Sequence, residues 1–484
     1  MVLDTSIIPS ILRWIFFTGY FYLKVKTFQV LVCPHFFVFK MLYIMCMEII
    51  LTQKNRLRLN AEEHKLITAM SYHSARLYNV GLYSVRQFFF LNHEYLNYAK
   101  NYHECKSNEN YKLLLSDTAQ QILRLVERNF KSFFALLTLK RSGKYSERVS
   151  LPKYKGKEEL GIVAIQGRSA RIHGNKVRVG FSKMFKKMYK PSMKYLEFTL
   201  PKNIQVSKLQ ELRINPLFGG REFDIEFVYK KEVQPVLGLD ANKFLSIDMG
   251  LNNFATCFSS IDGSSFIIDG RYIKAINHRY NKMLARLQSI KDQQGIKRPT
   301  RRIFNLTRKR GFQMNDYFNR AVKYITNECL KQGIGSIVIG NFSDIKRELN
   351  MGKRNNQNFV QIPFGLFRQK LKSKCQQLGI EYHATEESYT SKTSFLDNEP
   401  VKKREQYLGK RNKRGLFKTS DGHIVNADVN GAANILRKFL ASINRLVDFL
   451  YCERVVKGFV NNPVRVKFDN LLSSSSKPSA RALA

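Results

Sequence analysis

The stretch Asn426-Ala427-Asp428-Val429-Asn430-Gly431-Ala432-Ala433-Asn434-Ile435 opens an apolar helix with an acid in its first turn. Far upstream, Ser246-Ile247-Asp248-Met249-Gly250-Leu251-Asn252-Asn253 ends an apolar strand on a second acid. Between them, Glu386-Glu387-Ser388-Tyr389-Thr390-Ser391-Lys392 offers a third. Carboxylates are hard oxygen ligands suited to Mg²⁺, and a pair of such ions stabilises both the attacking and the leaving oxygen of a phosphodiester. Three separated acids on alternating strands and helices therefore fit a two-metal phosphodiester nuclease. Each acid alone says little. An Asp at a strand end is commonly a turn former, and one at a helix start is commonly a cap. Their joint occurrence carries the reading.

Charge points the same way. The 484-residue chain has 81 Lys and Arg against 38 Asp and Glu, a formal net charge of +43, with a pI near 10.0. Such a chain repels itself unless a polyanion neutralises it, so nucleic acid is the expected partner, ahead of an anionic membrane. Basic runs recur at residues 186–190, 297–310, 346–354 and 402–414. That spread suits a long channel tracking a phosphate backbone better than one disordered arm. A hydrophobic content of 44% with 12% aromatics argues for a folded protein, and the length leaves room for roughly two to four domains. The cysteines, Cys33, Cys46, Cys105, Cys257, Cys329, Cys375 and Cys452, form no Cys-x-x-Cys pair. Their wide spacing and odd count read as reduced thiols in a cytosolic protein.

Along the chain, residues 1–46 differ from the rest, being rich in Phe, Ile and Leu with Asp4 as their only acid. Arg13 interrupts the longest apolar run, which disfavours a membrane anchor. A signal peptide would need a basic start and a small-residue cleavage site. The expected reading is a dispensable extension, with the working protein starting at Met47. Residues 61–140 carry apolar positions at helical spacing: Leu66, Met70 and Leu77, then Ile122, Leu125, Val126 and Phe130. The aromatics Phe88, Phe89, Phe90, Tyr95 and Tyr98 cluster there, either packing together or stacking on nucleic-acid bases. Short β-like runs follow at residues 162–165, 177–179 and 223–227, separated by Gly, Pro and Asn. Within this part Lys153, Lys155 and Lys157 share one face if extended, giving either a phosphate contact or a solvated edge. From residue 244 the pattern becomes three strands (244–248, 254–259, 265–268), a basic helical region (272–333), a buried strand (337–339), a helix (359–378), a strand (380–385) and a long helix (429–450). A three-stranded meander followed by alternating helix and strand is the order of an RNase H-like fold.

Together, the segments Ile247–Asn253, Glu387–Lys392 and Asn426–Ile435 resemble the motifs of the TnpB (OrfB-type) proteins of bacterial and archaeal insertion sequences, relatives of the type V CRISPR effectors. The resemblance runs from about residue 47 to residue 463 and is strongest over residues 244–440. It implies an α/β protein with an RNase H-like (RuvC) nuclease domain at residues 241–450. An N-terminal β-barrel-like, wedge-like domain is expected from residues 47–60 and 141–240, carrying a helical recognition insertion at residues 61–140. A basic, Ser-rich and partly disordered tail is expected at residues 451–484. The implied activity is Mg²⁺-dependent cutting of double-stranded DNA, guided by an RNA from the transposon end, in a prokaryotic cytoplasm at the nucleoid. The protein would act as a monomer or dimer on its RNA, with no membrane partner. A nuclease-inactive RNA-guided repressor and a DNA-joining transposase are the alternatives.

The same resemblance implies catalytic and metal-binding roles for Asp248 and Asp428, with two Mg²⁺ ions. The family's usual middle Glu falls on Gly340, which has no side chain. In a subgroup the acid comes from the strand before Tyr-Thr-Ser, here Glu387 with Glu386 in reserve. Adjacent strand residues point to opposite faces, so only one of the two is expected at the metals. Asp344 and Asp397 come next. The family's zinc-ribbon cysteines are missing from residues 394–427, so no zinc is expected. The basic segment there, with Lys410, Arg411, Lys413 and Arg414, either contacts nucleic acid or forms an exposed loop.

Overall fold

The computed structural model describes residues 47–205, 208–341, 362–413 and 415–473. Asp344, Arg414, the extension 1–46 and the basic run 346–354 lie outside the described residues. The chain divides into two compact units, one from Glu48 to Glu232 and one from Val233 onward.

In the first unit, β1 (Met47–Arg56) leads into four helices: α1 (Ala61–Asn92), α2 (Tyr98–Cys105), α3 (Glu109–Leu113) and α4 (Ser116–Arg141). Asn60 starts α1 with a capping box: its side chain accepts the Glu63 N–H at 2.8 Å while the Glu63 carboxylate accepts the Asn60 N–H at 2.9 Å. The chain then returns to strands: β2 (Val163–Gln166), β3 (Arg171–His173) and β4 (Lys176–Val179). A short helix α5 (Lys183–Tyr189) precedes β5 (Leu196–Thr199), β6 (Leu209–Leu217) and β7 (Glu222–Val233). These make a four-stranded sheet in the order β1-β7-β6-β2 and a three-stranded one, β3-β4-β5. One core joins helix residues such as Leu82 and Phe130 to strand residues such as Ile214 and Phe227. Phe88, Tyr95 and Tyr98 pack against that core, and Phe89 lies against Phe134. Only Phe90 of the five clustered aromatics is exposed.

The second unit is built on a six-stranded sheet. Its strands are β8 (Asp240–Met249), β9 (Asn253–Ser259), β10 (Ser265–Asp269), β11 (Ile334–Asn341), β12 (Glu381–Glu386) and β16 (Val464–Val466), in the order β12-β11-β8-β9-β10-β16. The meander β8-β9-β10 is antiparallel, while β11 and β12 continue parallel to β8. Between β10 and β11 run α6 (Arg271–Gln293) and α7 (Arg301–Gln332). The single helical region expected there is broken where Gly295 takes a φ of +64° and Pro299 follows. α8 (Phe364–Leu378) links β11 to β12. It begins after Pro363, later than the expected residue 359, because the residue before a proline is pushed out of the helical region; residues 359–361 lie outside the described residues. A small sheet of β13 (Lys410–Lys413), β14 (Leu416–Lys418) and β15 (Ile424–Asn426) precedes α9 (Ala427–Ser442). α9 stops well before the expected residue 450. Asn444 adopts a left-handed φ of +53°, and the Arg445 N–H returns to the Leu440 carbonyl at 2.9 Å, a Schellman ending. Beyond it, α10 (Glu453–Val460), β16 and α11 (Phe468–Ser473) complete the described chain; residues 474–484 lie outside it.

Strand alternation sorts the second unit into two layers. Leu245, Ile247 and Met249 of β8 join Phe254, Phe318 and Phe367 under α7 and α8. Phe244, on the other face, joins Phe258, Val338 and Leu436 under α9. Asp248 shares the parity of Phe244 and so belongs to the α9 face. Phe254 centres the first layer: it is fully buried, with its ring 4.7 Å from Phe367 and 5.3 Å from Tyr317. Replacing Phe254 by Ala should destabilise this unit by about 3–5 kcal/mol, read as a lowered urea midpoint with little change in slope.

Candidate metal centre

Register sets Asp248 and the end of β12 on either side of Gly340. β11 pairs with β8 so that Ile339 lies opposite Ile247, which brings Gly340 beside Asp248. On its other edge Gly340 faces Thr385, and Asn341 faces Glu386. Glu387 is the next residue, where the chain leaves the strand: Thr390 donates its hydroxyl to the Glu387 carbonyl at 2.8 Å, and Tyr389 takes a φ of +68°. Glu387 is 8% exposed. Its carboxylate lies over Gly340, so a Cβ added at position 340 would fall on the Glu387 Oε1 and Cδ. The acid from the end of β12 thus occupies the volume that a side chain on β11 would have used.

Glu386 goes the other way. Its exposed carboxylate pairs with Lys438 of α9 and accepts the Ser388 N–H at 2.8 Å. Asp428 stands in the first turn of α9, but the cap is Asn426, whose side chain accepts the N–H groups of Asp428 at 3.0 Å and Val429 at 3.2 Å. The Asp428 carboxylate is instead held by the side-chain amide of Asn253. Nearly one turn later Gly431 approaches β8 so closely that a Cβ there would stand 2.7 Å from the Asp248 Oδ2.

Burial is the largest cause raising the Asp248 carboxyl well above the usual range; the negative charges of Glu387 and Asp428 add to it, and Arg411 partly offsets them. Burial likewise pushes Glu387 up to about 8, against the pull of Arg368 and with a further push from Glu386. The Glu387 Oε1 is buried without a hydrogen-bond partner. Among the described residues no group of three His, Cys, Asp or Glu side chains stands close enough together to hold a metal ion, although Asp248 feels the charges of both Glu387 and Asp428. An orphaned buried carboxylate oxygen beside a second desolvated acid lacks positive charge, and a hard divalent cation supplies it. The residues fit such an ion.

The basic candidates divide. Lys153 and Lys157 are exposed, whereas Lys155 is drawn into an ion pair with Glu159 at 2.5 Å. Lys410, Arg411 and Lys413 line the exposed strand β13, and Arg411 reaches Asp248 electrostatically. Asp397 is engaged elsewhere, accepting from the Ser420 N–H and hydroxyl at 3.0 and 2.7 Å. Two residues near the acids had no assigned role in the sequence. Asn253 closes the Ser246–Asn253 stretch quoted above, which is the signal that could have found it. Arg368, on α8, donates to the Asn341 side chain and carries no sequence signal, because its nearness to Glu387 exists only through strand register.

Two tests follow from this geometry. Gly340→Ala should displace the Glu387 carboxylate and weaken divalent-cation binding at least tenfold by calorimetry, while leaving the far-ultraviolet spectrum unchanged. The raised Glu387 also sets a pH trend for the cation-free protein. Its folded value of about 8 exceeds its ordinary 4.5, so the proton is bound more tightly when folded. The associated stability is complete below about pH 4.5 and is lost as pH rises through 8. Melting temperature in EDTA should fall across that window, and Glu387→Gln should flatten the fall.

Known proteins are similar to this chain. The family OrfB_IS605, described as "Probable transposase", matches residues 226–346, and the Cas12f1-like TNB domain matches residues 364–435. Asp248 and Gly340 lie in the first match, Glu387 and Asp428 in the second. The TnpB-like protein ORF457 of Acidianus two-tailed virus is 25% identical over 410 residues, covering 79% of this chain and 85% of its own. The fold is similar to the protein chain in the cryo-EM structure of the Cas12f1-sgRNA-target DNA complex, with a TM-score of 0.55 at 17% identity over 78% of this chain and 83% of that one. The chain is thus similar in sequence to TnpB-like proteins and to the Cas12f1-like TNB domain, with a mixed α/β fold like that of Cas12f1.

Proposed function

We propose that this chain is an RNA-guided DNA endonuclease of an insertion sequence, cutting target double-stranded DNA by two-metal hydrolysis. The observation that carries the proposal is the Glu387 carboxylate lying over Gly340, beside Asp248, with one oxygen unpartnered. Asp248, Glu387 and Asp428 are the residues that would hold two Mg²⁺ ions. When bound, such ions lower the pKa of water and neutralise charge developing on the phosphoryl oxygens. The chain's own part is positioning. Asn253 fixes the Asp428 carboxylate. Glu387 gives up its proton to become a ligand at neutral pH. Arg411, with Lys410 and Lys413, meets the phosphate backbone from β13.

The net charge of +43 supports a polyanion held mainly by its backbone, so base pairing with a guide RNA rather than side chains would read the target. In this reading the unit from Glu48 to Glu232 is a barrel-like wedge with the helices α1–α4 inserted, gripping the guide–target duplex together with Lys153 and Lys157. The second unit is an RNase H-like nuclease, in keeping with its antiparallel meander followed by two parallel strands.

The test is to purify the chain with co-expressed transposon-end RNA, sequence the RNA that remains bound, and assay a matched plasmid with Mg²⁺. Asp248→Ala, Asp428→Ala and Glu387→Gln should each lower cleavage by about a thousandfold or more, with RNA and target binding within a few-fold of wild type, since binding rests on backbone charge. Glu386→Gln should cut within about threefold of wild type, because its side chain serves the Lys438 pair on the other face. Full-rate cutting by Asp248→Ala or Asp428→Ala would overturn the ligand assignment. Cutting without any bound RNA would favour a DNA-joining enzyme, and target binding without any cutting would favour a repressor.

A further inference from the structure

α1 carries a stripe that the acids and their cations do not use. Tyr72, Arg76, Asn79, Tyr83, Arg86 and Phe90 follow one another at steps of four, three, four, three and four residues, which keeps all six on one helix face. The buried residues of α1, among them Leu66, Met70, Leu77 and Val85, occupy the opposite face. The rings of the stripe stand out in solvent: Tyr72 is 40% exposed, Tyr83 57% and Phe90 50%. Guanidinium groups lie over two of them, Arg76 at 5.1 Å from the Tyr72 ring centre and Arg86 at 5.7 Å from that of Phe90.

A second segment is fastened alongside. Asn79 grips the backbone of Lys155 from both sides, donating to its carbonyl at 2.9 Å and accepting its N–H at 2.8 Å. Arg76 donates to the Gly156 carbonyl at 2.5 Å. These bonds hold Tyr154, itself 42% exposed, with its ring centre 4.9 Å from the same Arg86. Lys153 and Lys157 flank it in solvent. The only acids of α1, Glu62 and Glu63, sit in its first turn, away from the exposed rings.

Exposed rings under arginines, beside a Glu159 carboxylate already taken by Lys155, suit an anion that also offers flat apolar faces, which describes a nucleic-acid strand. A duplex hides its base faces in its own stack. Along α1, Tyr72 and Tyr83 are about 16 Å apart and Tyr83 and Phe90 about 10 Å, too far for adjacent stacked bases and suited to a splayed strand. We propose that this face is a stacking platform for an unpaired segment of single-stranded RNA, with bases on Tyr72, Tyr83, Phe90 and Tyr154 and phosphates near Arg76, Arg86, Lys153 and Lys157. The choice of RNA rests on the guide-RNA reading above.

The test uses the full chain freed of bound RNA, in EDTA, so that its outcome does not depend on whether the acids cut. Fluorescence anisotropy compares an unstructured 12-nucleotide RNA, the same RNA in duplex form, and single-stranded DNA of the same sequence. Tyr83→Ala/Phe90→Ala should weaken the single-stranded RNA by roughly 10- to 100-fold and the duplex by less than about twofold. Tyr83→Phe should bind like wild type, since the ring is kept. Ultraviolet crosslinking with mass spectrometry should place the RNA on peptides containing these rings. Unchanged affinity for single-stranded RNA, an equal loss on the duplex, or a loss confined to single-stranded DNA would each overturn the proposal. Failure of the nuclease reading would show in plasmid cleavage instead, with the anisotropy result unaffected.

Discussion

Three side chains on one face of α9 hold the backbone that leaves Glu387. Asn434 donates to the carbonyls of Thr390 and Thr393 at 3.0 and 2.7 Å. Asn430 donates to Thr393 at 2.8 Å and accepts the Phe395 N–H at 2.9 Å. Arg437 reaches the Asn398 side chain at 2.9 Å. Both asparagines are buried, and buried amides paired in this way specify one arrangement, because any other leaves polar groups unmet. The same helix carries Asp428 in its first turn and lays Gly431 against Asp248. One rigid element therefore relates all three acids, although they come from segments far apart in the chain. Glu399 extends the arrangement: its buried carboxylate accepts the N–H groups of Ser394 at 2.9 Å and Leu408 at 3.1 Å. This closes a loop through hydrogen bonds in a region that contains no cysteine.

The cluster those contacts hold is unfavourable by itself. Desolvation raises Asp248 and Glu387 together, and among the described residues neither acid has a counter-ion in contact. The apolar layers on both faces of the sheet, centred on Phe254 below and Phe258 with Phe417 above, offset that cost. Strained or uncompensated groups persist where the surrounding structure over-determines them, and they mark the places where binding supplies the missing interaction. The site and the core are in this sense one energetic unit.

Much of this arrangement was legible in the sequence, and the parts that were not share a physical cause. Asp248 and Asp428 stand out because each sits where an apolar run of recognisable period begins or ends. The preference for Glu387 over Glu386 came from the family resemblance, and alternation along a strand added only that one of the two should face inward. The meander and the alternation of helix and strand after it follow from the sequence of short apolar runs, whereas which strand lies beside which, and the edge strand β16, do not. What local pattern could not carry is register between strands distant in the chain. The Glu387 carboxylate over Gly340, the grip of Asn253 on Asp428 and the approach of Arg368 all depend on it. Local chemistry also misled in places. Apolar periodicity continues past Ser442, yet a left-handed Asn444 ends α9. Lys155 looked like a partner of Lys153 and Lys157 but is taken by Glu159. Phe88, Phe89, Tyr95 and Tyr98 read as one group with Phe90, and packing separated them.

Because the Glu387 carboxylate and any side chain at position 340 claim the same volume, the two positions form a single exchangeable slot. Placing an acid on β11 while Glu387 remains would force two carboxylates into the room of one. Removing Glu387 first would leave the cluster an acid short. Single substitutions at the two positions therefore give either a crowded slot or an empty one. A glycine at position 340 is then the vacancy into which a neighbouring segment places its charge.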